Sequence, residues 1–433
     1  MKLKWIFINT YKNLEIKKIE FNNSLSNVYV LVGKNGSGKS NLLEALSLIF
    51  GSLYTEPRNP PFAYGIGYEI GGRIIEIEFD PLDFSIKVDG ENKHIEFLRN
   101  NHLLPNRVVA VYSGEELRMW ENIYKPFYDK FIDSLINGKS TSLDLMYINK
   151  YHWNIALLTL ALSETTACQD FISEMNYNIK TVEFDFDSKK IKDNREPLLQ
   201  GFLDIVSKKQ RYSIEELREI FKTVIYGEDF EGLQFNDYDV FEYLLKANIP
   251  KDFKTITNIK LNLDGGISLK ELSEGEKKKI LIFTVMQVLA SQNAIVLLDE
   301  PDSFLHPTWQ KTLTKYIEEL AASQFVLLTT HSPNVISGTD NENVLRIQNG
   351  TVLTNTPPTW GRDINSIQYE IMDEGFRDDE TAKELDEIYD LIGRGDLDAA
   401  EETVNQLALQ KMGPNDSEII KIKSMIEFER EFR

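Results

Sequence analysis

An eight-residue stretch near the amino terminus, GKNGSGKS at residues 33–40, constrains the fold of this chain more than any other part of it. It matches the pattern G-x-x-x-x-G-K-[ST] in full. The short β-branched run NVYVLVG precedes it, and the amphipathic run SNLLEALSLIFG follows it. The order predicts a buried strand, a tight loop and a helix. We therefore expect an α/β fold in which this loop joins a strand to a helix.

The glycine-rich loop has the chemistry of a phosphate site. Gly36 and Gly38 lack a Cβ, so backbone N–H groups can approach phosphate oxygens there. The helix that begins near Lys39 directs free amides and the positive end of its dipole at the same anion. Lys39 is expected to reach the β- and γ-phosphates of a nucleoside triphosphate, and Ser40 to hold Mg²⁺. The residues predicted to bind the nucleotide here are Asn35, Gly36, Ser37, Gly38, Lys39, Ser40 and Asn41.

Two further apolar runs end in polar residues that suit the same site. AIVLLDEP closes with Asp299 and Glu300, and FVLLTTHSPN contains His331 directly after its strand. A cation held by Ser40 needs an oxygen ligand from a neighbouring strand, and Asp299 is placed for it. Glu300 is predicted to orient the attacking water and His331 to contact the γ-phosphate. The alternatives are a solvated acidic turn and a purely structural histidine.

The stretch LSEGEKKK at residues 272–279 begins with residues too polar and flexible to pack in a core. Ser273 with Glu276 three residues later forms the pattern of a capping box at a helix start. A capped helix start is also an anion site. Both interpretations hold at the same residues.

LSEGEKKK, LLDEPDSFLHP and TTHSPN follow the phosphate loop in this order. They resemble the signature, the Walker B motif with D-loop, and the H-loop of ABC-type ATPases, and more narrowly those of the RecF/SMC/OLD branch. The resemblance implies an ABC-type ATPase head, a mixed sheet plus a P-loop RecA-like lobe, that binds ATP and Mg²⁺. It implies catalytic roles for Lys39, Glu300 and His331, and ATP hydrolysis that is slow in some members. It further implies a homodimer in which Ser273, Gly275 and Glu276 contact ATP on the second copy.

The chain departs from the ABC pattern at two places. The junction VVAVYSGEELR lacks the glutamine that ABC modules carry where the first lobe meets the helical lobe, so that water-positioning role is assigned to no residue. No aromatic residue marks an adenine-stacking loop. Lys12, in NTYKNLEI, stands where RecF-like proteins have a basic residue, and we predict a contact from Lys12 to adenine or phosphate.

The motifs and the apolar pattern divide the chain into four parts. A hairpin is predicted at Asp89 and Gly90, another is predicted in ITNIKLNLDGGISLKEL, and long helical stretches lie between the motif-bearing segments. The predicted parts are residues 1–115 (first half of the ATPase head), 116–255 (a mostly helical insertion), 256–365 (second half of the head) and 366–433 (an acidic helical tail).

The charge of the chain is strongly negative, with a formal net charge of −20. Residues 370–433 carry 19 acidic against 8 basic side chains. Bulk charge therefore argues against non-specific DNA binding. Five lysines cluster near the start and are either a DNA contact or a solvated sheet edge: Lys2, Lys4, Lys12, Lys17 and Lys18. Cys168 is the only cysteine, which excludes an internal disulfide and fits the cytoplasm, where we expect the protein to act.

The last part of the chain narrows the resemblance. About 70 residues follow Gly361, too few for the Toprim nuclease of OLD proteins, so no nuclease domain is expected in this chain. TWGRDINSI followed by acidic helices resembles the ATPase subunit of Septu-type anti-phage systems (PtuA), and similar ATPases accompany some retrons and PARIS systems. The Septu resemblance implies an HNH nuclease partner (PtuB-like), nucleic acid bound through the complex, assembly up to a trimer of dimers, and no membrane.

Three alternatives stay open at this stage. The chain is alternatively a RecF-like, ATP-dependent DNA-binding repair clamp. It is alternatively a scaffold that holds a toxin effector inactive, as in PARIS-type systems. The acidic tail is either a surface for a partner or a solvated helical cap.

Overall fold

The computed structural model describes residues 1–21, 26–54, 60–112, 119–137, 143–193, 197–227, 236–248, 254–263, 272–290, 292–321, 323–353, 356–372 and 378–432. These residues form two compact units, Met1–Arg362 and Asp363–Arg433.

Among the described residues, strands occur only in the first unit. In chain order they are β1 (Lys2–Tyr11), β2 (Leu14–Glu20), β3 (Val28–Val32), β4 (Tyr64–Ile70), β5 (Arg73–Asp80), β6 (Asp83–Val88), β7 (Glu91–Lys93), β8 (Val108–Tyr112), β9 (Leu145–Ile148), β10 (Ile179–Phe186), β11 (Arg211–Ser213), β12 (Ile256–Leu263), β13 (Ile295–Asp299), β14 (Phe325–Thr330), β15 (Val344–Gln348) and β16 (Thr351–Leu353).

Helices occur in both units. In chain order they are α1 (Lys39–Tyr54), α2 (Ile95–Asn100), α3 (Lys125–Ile136), α4 (Trp153–Leu162), α5 (Thr166–Glu174), α6 (Ser188–Asp193), α7 (Pro197–Val206), α8 (Ile214–Tyr226), α9 (Asp237–Asn248), α10 (Glu274–Thr284), α11 (Pro307–Leu320), α12 (Pro333–Ser337), α13 (Ile364–Glu370), α14 (Asp379–Arg394), α15 (Leu397–Leu407) and α16 (Ser417–Phe432).

The central sheet has seven strands in the order β16-β15-β3-β14-β13-β8-β9. All neighbours are parallel except the β15–β16 pair. Every residue of β3, β13 and β14 is buried, as expected for parallel strands covered on both faces. The three motif-bearing strands therefore lie side by side, and their carboxyl ends meet at one edge of the sheet.

A second sheet of six antiparallel strands has the order β2-β1-β4-β5-β6-β7. Sequence analysis missed β4 because its Gly65 and Gly67 are typical of breaks. The Trp5 ring of β1 lies against both glycines, and a Cβ at Gly67 would stand 2.1 Å from Trp5 Nε1. The glycines therefore make room for an indole, as strand glycines often do where another group approaches closely. Helix α1 contacts β13 and β14 on one side, and its Phe50 ring lies 5.9 Å from Tyr68 of β4 on the other.

Three segments differ from what their sequence pattern indicates. The run FSIKVDGENKHIEF alternates as two strands would, but its last residues, IEF, begin α2, where Ile95 and Leu98 share the helical spacing that buries Leu98. The run YHWNIALLTLALSETTACQDFISEM divides into α4 and α5 at Ser163, whose hydroxyl donates to Asp237 at 2.6 Å. The short strand β9 was not predicted and extends the central sheet beyond β8.

The middle of the chain holds strands as well as helices. Strands β11, β10 and β12 form a small antiparallel sheet, so β12 pairs with β10. The turn and second arm predicted to follow β12 lie at residues 264–271, outside the described residues. The junction without a glutamine begins with β8, and its remaining residues, 113–118, lie outside the described residues too.

The second unit is helical, as predicted, and has a core of its own. Apolar residues of α14, α15 and α16 form that core, among them Ile388, Val404 and Ile422. Helix α14 ends at Gly395, whose φ of +82° suits a residue without a side chain. The predicted α/β class is confirmed, with helices and a small sheet in the middle part and a helical tail. In the described part of the chain, no helix is both long and apolar enough to cross a membrane.

Candidate nucleotide-binding site

The loop between β3 and α1 adopts the conformation that its glycines predict. Gly36 and Gly38 have φ of +75° and +113°, backbone that L residues rarely adopt. A Cβ at Gly38 would stand 2.7 Å from Leu14 Cδ2, whereas one at Gly36 would meet open space. Gly38 therefore allows close packing on β2, while Gly36 leaves the surface of the loop open.

Lys39 closes this loop from inside. Its side chain is buried, and Nζ donates to the carbonyl oxygens of Gly33 at 2.8 Å and Lys34 at 3.2 Å. The buried Ser37 hydroxyl has no hydrogen-bond partner among the described residues. A buried hydroxyl is normally satisfied, and a phosphate oxygen bound in the loop would satisfy this one. Lys39, Ser37 and the open Gly36 thus fit the triphosphate of ATP.

Asn13 joins the phosphate loop to the second sheet and was missed by sequence analysis. Its amide donates to the Gly36 carbonyl oxygen at 2.7 Å, and its Oδ1 accepts from the Asn41 amide at 2.6 Å. The only sequence signal is an asparagine in the tight turn between β1 and β2, a position where asparagine is common for local reasons.

Lys12, in the same turn, pairs with the carboxylate of Glu44 on α1. Glu44 is 2% exposed and also accepts from the Tyr11 hydroxyl at 3.2 Å. The turn is therefore tied to the helix that follows the phosphate loop. A contact from Lys12 to the nucleotide stays a prediction.

Replacing Lys12 by methionine is expected to destabilise the protein. The Glu44 charge would then be buried without its lysine partner, which we expect to cost about 2 kcal/mol because the lysine is itself partly exposed. Denaturant unfolding of the variant measures the loss. Adding Glu44→Gln should recover most of it in a double-mutant cycle, and equal stability of Lys12→Met and wild type would contradict the pairing.

Ser40 and Asp299 come together at the carboxyl edge of the central sheet. The Ser40 hydroxyl lies 3.2 and 3.1 Å from the two oxygens of Asp299. Thr329 of β14 donates its hydroxyl to Asp299 Oδ1 at 2.5 Å. Burial raises the pKa of the Asp299 carboxyl, and the bonds from Thr329 and Ser40 oppose that rise. A buried carboxylate beside a serine hydroxyl is a donor set that suits Mg²⁺.

Thr329 is the second residue that sequence analysis missed. Besides holding Asp299, its hydroxyl accepts from the Glu300 backbone N–H at 3.0 Å. Thr329 is fully buried in a run of apolar residues, and such a hydroxyl must find a partner. A threonine within an apolar strand is therefore the sequence signal from which Thr329 could have been identified.

Glu300 turns out of the strand directly after Asp299. Its φ is +48°, a left-handed value that is uncommon for a non-glycine residue. The carboxylate is 46% exposed and lies 3.8 Å from His331 Nε2. The predicted catalytic pair therefore lies side by side, beside the Ser40–Asp299 pair and facing solvent.

The signature residues lie at the start of α10. Two of them, Ser273 and Glu276, form hydrogen bonds with each other. Ser273 accepts from the Glu276 N–H at 3.3 Å, and Glu276 accepts from the Ser273 N–H at 2.8 Å, so the predicted capping box forms. Tyr177 also donates to Glu276 at 2.7 Å. Among the described residues, the Ser273 side chain bonds only within its own cap, and Ser273 is exposed. The structure thus brings the loop, Asp299, Glu300 and His331 together and leaves Ser273 facing outward.

Comparison with known proteins assigns the chain to a family. Residues 28–337 match the family described as "AAA domain, putative AbiEii toxin, Type IV TA system". This chain belongs to that family. It is accordingly an ATPase, as the sequence analysis predicted.

Individual relatives are distant. A retron Vc95 probable ATPase from Vibrio cholerae serotype O1 biovar El Tor is 25% identical over 79% of this chain and 73% of its own length. The DNA replication and repair protein RecF from Caldanaerobacter subterraneus subsp. tengcongensis is 22% identical over 73% of this chain and 92% of its own. The SMC head domain from Thermotoga maritima aligns with a TM-score of 0.36 at 15% identity, covering 82% of this chain and all of that one. The predicted similarity to RecF-type ATPases agrees with the RecF relative, and the Septu assignment stays a prediction.

Proposed function

We propose that this chain is the ATP-binding and hydrolysing subunit of an anti-phage defence complex. In this proposal, ATP-dependent closure of two chains head to tail gates a partner effector. The observation that carries the proposal is the division of the motifs. One group surrounds the phosphate loop, while the exposed Ser273, at a helix start, forms side-chain hydrogen bonds only within its own cap among the described residues.

A helix start with free amides and a serine hydroxyl is a site for an anion. In a head-to-tail pair, the Ser273 and Gly275 backbone of one chain would cover the γ-phosphate held by Lys39 of the other. ATP would then bind the paired state more tightly than the separate chains, which is the differential affinity that a ligand needs to shift an equilibrium. Two identical sites would form, so the assembly is a homodimer at least.

Within one site, each residue of this chain has a defined task. Ser40 and Asp299 would hold Mg²⁺, which when bound neutralises phosphate charge and aligns the oxygens. Glu300 would orient the attacking water and accept a proton from it. His331 lies beside Glu300 and would contact the γ-phosphate. Lys39 stabilises the charge on the transferred group.

The defence role is supported by the family and the relatives. The family description names a putative toxin and a type IV toxin–antitoxin system. Two relatives are named as retron ATPases, the second, from Escherichia coli, at 28% identity over 37% of this chain and 32% of its own length. An HNH nuclease is the effector that the resemblance of the tail to Septu ATPases favours.

A RecF-like repair clamp is the second candidate, favoured by the RecF match over most of both chains. The five lysines near the start of the chain support the repair clamp less strongly in the structure than they do in the sequence. Lys4 pairs with Glu69 at 2.9 Å, Lys18 pairs with Glu20 at 2.7 Å, and Lys12 pairs with Glu44. Carboxylates thus already neutralise three of the five lysines, which leaves less charge for DNA phosphates.

A pull-down from the native host separates the two candidates. The bait is the full chain with Glu300→Gln in the presence of ATP and Mg²⁺, and the matched control is the chain with Lys39→Ala. A second protein at fixed ratio with an even number of ATPase chains, absent from the control, supports the defence complex. Dimers that carry DNA alone, with binding that falls steeply as salt rises, support the clamp.

Removing the second unit tests whether the tail captures the partner. Because Asp363–Arg433 has its own core, a chain ending at Arg362 is expected to keep ATP binding and lose the effector in the same pull-down. ATP binding by the shortened chain, measured by titration, is the internal control. Undiminished effector recovery would assign the docking surface to the ATPase head.

A further inference from the structure

Lys278 on the signature helix points back into the ATPase head. It lies five residues after Ser273, is 7% exposed, and its Nζ donates to the Glu300 backbone oxygen at 3.4 Å. Lysine is rarely buried to this degree unless it is paired. The contact therefore joins the helix that carries the signature to the loop that carries Glu300.

A buried carboxyl accompanies this lysine. Asp302 is 5% exposed, and its Oδ1 has no hydrogen-bond partner among the described residues. Burial raises the pKa of Asp302 to about 6 and lowers that of Lys278 to about 8, while each charge opposes the shift of the other. Lys278 also interacts with the charges of Glu300 and Asp299. It is therefore a cation placed among the acids of the nucleotide site.

The loop that Lys278 contacts has a strained backbone. Glu300 and Phe304 both have positive φ, +48° and +69°, although neither is glycine. Such backbone persists only when its surroundings hold it. The first turn of α10 supplies a second support, since a Cβ at Gly275 would stand 3.0 Å from the Phe304 carbonyl oxygen. Helix α10 therefore contacts both strained residues.

The neighbouring lysines do not share this contact. Lys277 pairs with Glu274 on the same helix at 2.8 Å, and the Lys279 ammonium lies 3.0 Å from the centre of the Trp309 ring on α11. Of the three consecutive lysines, Lys278 is the one whose hydrogen bond reaches the Glu300 loop. The run Lys277–Lys279 is thus not a uniform basic patch.

We infer that Lys278 is a positioning residue that holds Glu300 of its own chain in the geometry needed for ATP hydrolysis. The inference rests on the proposed function, because it assumes that Glu300 directs the attacking water. Lys278 does not touch the nucleotide. It acts through the backbone oxygen of Glu300 and the charge of Asp302.

The first test replaces Lys278 by methionine, which keeps the length of the side chain and removes its charge. Asp302 can take up a proton because its pKa is already raised, so the fold is expected to survive. We expect kcat for ATP hydrolysis to fall about 10-fold to 100-fold, as for misplaced catalytic groups, with the Kd for ATP changed less than about twofold. Lys277→Met removes the same charge from the same helix and should leave kcat unchanged, and Lys278→Arg should restore part of it.

An equal loss in Lys277→Met and Lys278→Met, or an unchanged kcat in Lys278→Met, would overturn the inference. If Lys278→Met does not fold, the double variant Lys278→Met with Asp302→Asn is used in its place. This variant removes both charges together, and its kcat is measured in the same way.

The second test separates positioning of Glu300 from support of the signature. Mixed dimers are made from one chain with Ser273→Arg and one with Lys39→Ala, so that a single site combines the nucleotide loop of the first with the signature of the second. Lys278→Met added to the Ser273→Arg chain, whose own Glu300 works, should lower activity. Added to the Lys39→Ala chain, it should have little effect, and the reverse result would refute the inference.

Failure of the proposed function gives a different result. Mixed dimers would then have no activity above that of the separate variants even with Lys278 intact in both chains, while the comparison of Lys278→Met with Lys277→Met would still decide the inference.

Discussion

Mixing two inactive variants is expected to restore ATP hydrolysis. Lys39→Ala removes the buried ammonium that closes the phosphate loop, so a chain with this change should not bind nucleotide. Ser273→Arg keeps that loop but places a bulky cation where the γ-phosphate of a second chain would lie. Each variant alone has no complete site. A mixed pair has one, built from the nucleotide loop of the second variant and the signature of the first.

The magnitude follows from which pairs can close. Lys39→Ala lacks nucleotide and Ser273→Arg blocks its own signature, so neither variant closes with itself. Mixed pairs have one working site of two, so at most about half of wild-type activity is expected. Steady-state phosphate release measures it. The matched control mixes Lys39→Ala with a chain that carries both substitutions, which cannot form a complete site in any pairing. Activity in the test mixture no higher than in this control would show that Ser273 does not act across a dimer.

Glu300→Gln is expected to bind ATP, to pair, and to stay paired. The amide has the size of the carboxylate but cannot accept a proton from water, so hydrolysis should fall at least about 100-fold. The nucleotide contacts of Lys39, Ser40 and Asp299 are unchanged. With hydrolysis blocked, the γ-phosphate remains and continues to favour the closed dimer.

Mass photometry with and without ATP measures this trap. Wild type should show dimers that disappear as ATP is consumed, whereas the variant should show dimers that persist. The control is the double variant Glu300→Gln with Ser273→Arg, which should bind ATP as a single chain. A Glu300→Gln chain that binds ATP and remains single would contradict head-to-tail closure.

Some features of this site could be predicted from sequence because they depend on residues close together in the chain. The phosphate loop, the strand that precedes it and the capping box at Ser273 are of this kind. Asp299 could be predicted because an acid at the end of an apolar strand has few structural reasons to be there. The order of the three strands could not be predicted in this way: β14, the last of them in the chain, lies between β3 and β13, so the strand of Asp299 is not the direct neighbour of the strand before the phosphate loop.

Other features depend on contacts between distant parts of the chain and have no local pattern. Thr329 holds Asp299 from the next strand, and Asn13 reaches Gly36 from another sheet. Lys278 stands in a run of three lysines whose environments differ only once α10 is packed. Gly65 and Gly67 indicate a break in the sequence pattern, whereas in the structure they lie within a strand and make room for the Trp5 ring on the adjacent strand.

The order of strands in the central sheet also governs when the site can form during synthesis. Strand β3, which leads into the phosphate loop, pairs with β14 and β15, and Val28 lies opposite Val326. Parallel pairing across such a separation forms late, because a long loop must close first. A ribosome must therefore translate past Gln348 before β3 has both neighbours. We therefore expect that a nascent chain cannot form the nucleotide site until the ATPase head is nearly complete.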